Sequence, residues 1–220
     1  MEIINRKTSN WLKKICLVTS INPNSKISEQ YRIIRTNFLS SINLYKSKTI
    51  LITSPNREDG KSTTAANFAI SLAQQGKKVL LIDADLRNST LHISFKADNN
   101  YGLSSVLKGR TIIEETIVKT EIRGLDFLPS GPVPFNPAEL LGSQAMELLI
   151  RKVKTNYDFV LFDTPAVLEV ADTKIIANQC DGLILVIRSG KTKSEEAIEA
   201  KKFLENPSVK LLGVILNSKA

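Results

Sequence analysis

Lys48–Asn67, KTILITSPNREDGKSTTAAN, sets an apolar run against polar residues ending in Gly60-Lys61-Ser62-Thr63, and then an alanine-rich segment. Thr49 to Thr53 reads as a buried strand and Thr63 to Gln75 as a helix, so the glycine and lysine fall where the strand's end becomes the helix's first turn. That junction is a phosphate site. Backbone N–H groups at a helix N-terminus lack intrahelical partners and stand at the positive end of the dipole, while Lys61 adds a full charge and Ser62 can give its hydroxyl to Mg²⁺. The pattern departs from G-x-x-x-x-G-K-[ST] at its first glycine, which is Pro55 here. A strand before and a helix after separate it from an ordinary loop with a solvated lysine.

With 220 residues, 42% hydrophobic and 24% charged, the chain can bury one sizeable core as a single domain. Cys16 and Cys180 are far apart and lack metal-ligand spacing, so they read as reduced thiols of a cytosolic protein. The apolar runs are too short to span a bilayer, and no signal-peptide pattern opens the sequence. Charge is unevenly placed: residues 1–48 hold nine lysines and arginines against Glu2 and Glu29, so +7 of the net +8 lies there. The expected division is a basic arm over 1–27 and a folded domain over 28–220. Such an arm suits anionic lipid, an acidic partner or nucleic acid, with Trp11 as an interfacial anchor, or it is simply solvated.

Val79 to Ile82 and Phe159 to Phe162 read as buried parallel strands that end in acids, Asp83 with Asp85 on the first and Asp163 on the second. Acids at the carboxyl ends of such strands point into the ligand crevice of an open α/β sheet. Carboxylates from two strands beside a phosphate loop suit Mg²⁺, which keeps several waters and takes few direct protein ligands. Further strands are expected at 125–128, 182–187 and 210–216, and helices at 105–107, 112–118, 137–141, 143–154, 172–178 and 193–204. The alternation gives a mostly parallel sheet covered by helices on both faces. Before the loop, Ser28 to Leu39 reads as a helix with Ser28 as its N-cap, and Glu29, Arg32 and Arg35 recur along one side. Their spacing leaves two readings open, pairing within the helix or bonds to another subunit. His92, the sole histidine, reads as structural or exposed.

Taken in order, these motifs resemble the bacterial tyrosine kinases of capsule and exopolysaccharide synthesis (BY-kinases), over Ser28 to the end. They are Glu29-x-x-Arg32-x-x-Arg35, the phosphate loop, Leu81-Ile82-Asp83-Ala84-Asp85-Leu86-Arg87, Ser130-Gly131-Pro132 with Asn136-Pro137-Ala138-Glu139-Leu140-Leu141, Phe162-Asp163-Thr164-Pro165, and Leu212 to Asn217. The resemblance implies a P-loop NTPase fold of the MinD/ParA-like kind, Mg²⁺-ATP as cofactor, and transfer of the γ-phosphoryl group to protein tyrosines. It further implies a homo-oligomeric ring through Glu29, Arg32 and Arg35. A membrane-embedded modulator of polysaccharide chain length would activate the kinase through its cytoplasmic tail, holding a cytoplasmic protein at the inner face of the membrane. By position, Asp59, Gly60, Lys61, Ser62 and Thr63 would line the nucleotide and Asn217 would contact adenine. Lys61 would stabilise the transferring phosphoryl group, with Ser62, Asp85 and Asp163 serving the metal and Asp83 receiving the tyrosine proton.

The chain departs from the family in the loop, where Arg57-Glu58-Asp59 stands for the usual Pro-Gly-Glu. A positive φ at Glu58 would cost about 1 kcal/mol or more, and both acids must point outward or repel ATP. Family members continue past Asn217 into a tail of clustered tyrosines, whereas Tyr31, Tyr45, Tyr101 and Tyr157 are scattered here. The competing readings are a nucleotide-switched partition-type ATPase and a non-catalytic scaffold. The near-neutral body argues against DNA, so no nucleic-acid partner is expected.

Overall fold

The computed structural model describes residues 15–42, 48–204 and 209–218. Most of the basic arm, with Trp11, Lys13 and Lys14, lies outside the described residues, as does Tyr45. Two helices, α1 (Val18–Ile21) and α2 (Lys26–Ile42), precede β1 (Thr49–Thr53), α3 (Lys61–Gln74) and β2 (Val79–Asp83). Then come α4 (Leu91–Ser94), α5 (Leu103–Leu107), α6 (Ile113–Thr116), β3 (Val118–Lys119) and β4 (Leu125–Leu128). The chain continues through α7 (Pro137–Leu141), α8 (Gln144–Asn156), β5 (Phe159–Asp163), α9 (Asp172–Ala177), β6 (Gly182–Arg188), α10 (Ser194–Leu204) and β7 (Lys210–Asn217).

The seven strands form one sheet in the order β3-β4-β2-β5-β1-β6-β7, and only the β3–β4 pair is antiparallel. Every residue of β1, β2, β4 and β5 is buried, because helices cover both faces of a parallel sheet. One core layer gathers Leu51, Leu80, Ile82, Phe162 and Leu185 with Leu149, Ile150 and Ile176 of α8 and α9. The other sets Ile50, Ile52, Leu81 and Leu161 against Phe68 and Leu72 of α3 and Phe38 of α2. Phe38 meets Phe68 edge-on at 5.1 Å and Phe159 at 5.5 Å, locking α2 to α3 and to the sheet. Truncating Phe38 to alanine would cost about 3–5 kcal/mol.

Two expectations need correction. Ser28 is not the N-cap of α2 but a buried residue inside it. Ser25 takes that place, its Oγ accepting the free N–H of Ser28 at 3.1 Å, while the Ser28 hydroxyl donates to the Asn22 carbonyl at 2.6 Å. The boundary expected at residue 27 also falls within packed chain. Ile15 N donates to Ser94 Oγ at 2.8 Å, and buried Asn67 of α3 accepts from both Thr19 N and Thr19 Oγ1 at 2.9 Å. Asn67 also donates to the carbonyls of Cys16 and Thr63, so its amide is fully used in holding the segment before α2 to the phosphate-loop helix. Among the described residues no helix is long and apolar enough to cross a membrane.

Candidate active site

The polar loop after β1 wraps the N-terminus of α3 in the way its sequence demands. Gly60 turns through φ +99° and Glu58 through +63°, a left-handed conformation that disfavours a side chain at the second position. Four groups hold the loop. Asn56 N donates to Asp59 Oδ2 at 3.0 Å, Asn217 Nδ2 to the Asp59 carbonyl at 2.8 Å, Arg188 Nη1 to the Glu58 carbonyl at 3.1 Å, and Arg57 pairs with Glu169. Asp59 therefore corrects the outward placement expected of it. Its side chain is buried and closes the turn from within, with Oδ1 left unpartnered among the described residues, whereas Glu58 does point to solvent, 3.8 Å from Lys191 Nζ.

Lys61 opens α3 and buries its stem. Its Nζ lies 3.3 Å from Asp85 Oδ2 and 3.3 Å from Ser62 Oγ. Burial works against the ammonium charge, but Asp163 and Asp85 outweigh it and hold the pKa above the ordinary lysine value. Asp83 and Asp163 end β2 and β5 in register with one another. Burial, then the charge of Asp163, pushes the Asp83 carboxyl up to about 8. Burial lifts Asp163 to about 6, held back by Lys61 and a hydrogen bond from Ser62. Gly60, Lys61, Ser62, Thr63 and Asp85 line one cleft of about 650 Å³, with Asp83 and Asp163 buried behind them.

Metal fit can be judged from the oxygens. Asp163 Oδ1 is buried without a hydrogen bond among the described residues, and its carboxylate touches Ser62, so an unspent lone pair stands beside the hydroxyl expected to meet Mg²⁺. Among the described residues no three histidine, cysteine, aspartate or glutamate side chains gather into a cage of their own. A Mg²⁺ ion beside Asp163 and Ser62 would take its other ligands from water and substrate phosphate.

The AAA domain family matches residues 47–199. The chain is 49% identical over 203 residues to the tyrosine-protein kinase YwqD of Bacillus subtilis, covering 92% of this chain and 86% of that protein. Among solved structures, the kinase domain of the Escherichia coli tyrosine kinase ETK superposes with a TM-score of 0.89 at 32% identity, over 94% of this chain and 81% of that one. The septum site-determining protein MinD of Pyrococcus horikoshii, complexed with Mg-ADP, gives 0.67 at 29% identity over 77% and 70%. The chain belongs to the bacterial tyrosine kinase family.

The kinase thus has the fold and the enzyme class that its motifs implied, a P-loop protein-tyrosine kinase with a mostly parallel sheet. Not every residue singled out in the sequence reaches the cleft. Asn217 braces the phosphate loop from behind through the Asp59 carbonyl. Glu29, Arg32 and Arg35 sit on α2, away from it. Arg32 pairs with Glu29 at 2.6 Å within the helix and also donates to the Pro23 carbonyl, and Arg35 Nη1 reaches the Ser71 carbonyl on α3 at 2.7 Å.

Sequence reasoning missed two groups of side chains. Ser89 donates to Asp83 Oδ2 at 2.8 Å and lies 3.1 Å from His92 Nδ1, so the sole histidine stands two hydrogen bonds from Asp83. The hydroxyl has one proton, so when it goes to Asp83 the imidazole must carry its own on Nδ1. Arg87 lines the cleft and is gripped by Asp172, Nε at 2.8 Å from Oδ2 and Nη2 at 3.0 Å from Oδ1. An arginine following a run of acids and an aspartate opening a helix were both visible, but nothing in their spacing joins them across 85 residues.

Proposed function

We propose that this kinase transfers the γ-phosphoryl group of Mg²⁺-ATP to protein tyrosines, in the control of capsule or exopolysaccharide synthesis. The observation that carries the residue assignment is the contact of Lys61 with Asp85 at the mouth of α3, beside the in-register pair Asp83 and Asp163. The N–H groups of the first turn of α3 and the Lys61 ammonium bind the β- and γ-phosphates and neutralise charge on the transferring group. Ser62 would ligate Mg²⁺ directly and Asp85 and Asp163 would hold its waters, and the ion would supply neutralisation of the phosphate charge. Asp83, with its raised pKa, orients the tyrosine hydroxyl and takes its proton as the phosphoryl group arrives. A loose transition state needs alignment and charge neutralisation more than a strong base, so this set is sufficient.

Ring assembly through α2 forms part of the same reading. Ile27 and Ile33 are exposed on that helix, beside the partly exposed Glu29–Arg32 pair, and so offer apolar and charged groups to a neighbouring copy. The basic N-terminal residues suit recruitment to the inner face of the membrane by a modulator's cytoplasmic tail. Incubation with Mg²⁺, γ-labelled ATP and a tyrosine-containing acceptor tests the proposal. Phosphotyrosine is expected from the wild type and should be lost in Lys61→Met and Asp83→Asn. ATP hydrolysis with no label on tyrosine, with or without the modulator's tail, would favour the nucleotide-switched ATPase instead.

A further inference from the structure

Sheet order places the two ends of the cleft. Asn217 and Arg188 end β7 and β6 at one side, the phosphate loop follows β1 in the middle, and Asp163 and then Asp83 end β5 and β2 beyond it. The proposed function sets the phosphates over the N-terminus of α3 and the acceptor tyrosine beside Asp83 at the end of β2, so residues flanking that tyrosine fall near Arg87, which follows the same strand. The wall there is built by Arg87, Asn88 and Thr90 on one side and by Pro165, Ala166 and Glu169 on the other. Space left there after the nucleotide binds belongs to the acceptor.

Among the described residues, Arg87 is the one cation on that wall whose position is fixed from behind. Asp172 has no solvent-exposed surface, and it holds Nε and Nη2 in a two-point grip from the first turn of α9. A guanidinium has five N–H donors in a rigid fork, so side-on capture by one carboxylate leaves the Nη1 edge for a second anion. Among the described residues no further hydrogen bond ties Arg87, and about 38% of its side chain remains accessible within the cleft. Glu169 is already paired with Arg57, and Asp85 with Lys61, so neither carboxylate is tied to the free edge.

We infer that Arg87 is an acceptor-binding residue, set by Asp172 to receive a carboxylate beside the target tyrosine, so that the enzyme favours tyrosines flanked by acidic residues. This rests on the kinase reading and names the substrate class of the same cleft. The guanidinium is pre-organised, so little rotamer freedom is lost when the acidic side chain docks.

Two synthetic single-tyrosine peptides, identical except for Glu or Gln on each side of the tyrosine, test it with the full chain and Mg²⁺-ATP. The wild type is expected to favour the Glu peptide by about tenfold in kcat/KM, the size of one charge-assisted hydrogen bond in a partly open site. Arg87→Gln should bring the ratio near unity, and Arg87→Lys, which keeps the charge but loses the fork, should leave it between the two. Each ratio compares two substrates on one protein, so any loss of folded enzyme cancels. A wild-type ratio near unity, or a ratio that survives Arg87→Gln, overturns the inference. Absence of phosphotyrosine on either peptide with the wild type would instead bring down the kinase reading itself.

Discussion

Asp83 and Asp163 are the last paired residues of β2 and β5, two buried carboxylates in register on adjacent parallel strands. Burial and the charge of Asp163 raise Asp83 to about 8, so the folded, metal-free protein keeps a proton that the unfolded chain gives up near the ordinary carboxylate value of 3.8. This group's contribution is complete below that value and is lost as pH rises through the folded pKa. The metal-free melting temperature should therefore fall between about pH 5 and pH 8, and Asp83→Asn should flatten that slope. Differential scanning calorimetry in a chelator measures it, and a flat wild-type profile would contradict the assignment.

Lys61 supplies the only positive charge in direct contact with Asp85 among the described residues. Lys61→Met should remove about 3–5 kcal/mol of transition-state stabilisation, slowing phosphoryl transfer roughly 10²- to 5 × 10³-fold, judged from comparable charged contacts. It should also lower the melting temperature of the metal-free protein more at pH 8 than at pH 5, because acids left without their cation repel one another once ionised. Transfer assays and melts on the same preparation check both.

Asn217 and Gly60 meet so closely that a Cβ at Gly60 would fall 2.1 Å from Asn217 Nδ2. The amide could swing aside only by giving up its bond to the Asp59 carbonyl, and the φ of +99° would remain strained. Gly60→Ala is expected to cost about 1–3 kcal/mol and to weaken nucleotide binding at least tenfold. Asn217→Ala alone should weaken it by about fivefold, through loss of one hydrogen bond bracing the loop. The double variant should recover part of the Gly60→Ala loss, since the collision is relieved and the backbone strain is not. Urea unfolding and nucleotide titration of all three variants form the cycle.

The phosphate loop and the three acids were legible because each lies in one short stretch whose neighbours set its conformation: an apolar strand, a turn, then a helix start. The buried strands were equally plain, since a sheet covered on both faces writes continuous apolar runs. What stayed hidden depends on chain segments meeting in space. The Asp59 carboxylate turns inward to accept from Asn56 N, while its backbone carbonyl is held by Asn217, 158 residues away. The Arg87–Asp172 and Asp83–Ser89–His92 contacts join residues that look like loop polar groups in isolation. Helix α1 and strand β3 are four and two residues long, too short to show any periodicity. Spacing alone leaves the ladder of Glu29, Arg32 and Arg35 open and the resemblance assigns it to a subunit interface, whereas within one chain Glu29 and Arg32 pair along the helix.

Glu58 occupies a left-handed position at the rim of the cleft, with its carboxylate in solvent near Lys191. Glu58→Gly removes strain of about 1 kcal/mol and gives back a similar amount through the freer unfolded chain, so stability should change by less than about 1 kcal/mol. Nucleotide affinity should rise by about threefold through loss of one negative charge at the phosphate mouth, and the gain should shrink with added salt. Titrations at low and high ionic strength read the difference.

Calorimetric titration with ATP, with and without Mg²⁺, bears most directly on the claim that the α3 N-terminus and the strand-end acids together hold a metal-bound triphosphate. The wild type should bind Mg²⁺-ATP much more tightly than metal-free ATP, and Asp163→Ala should erase that difference while leaving metal-free binding in place. No detectable heat from Mg²⁺-ATP at millimolar concentration, or a magnesium dependence untouched by Asp163→Ala, would contradict it.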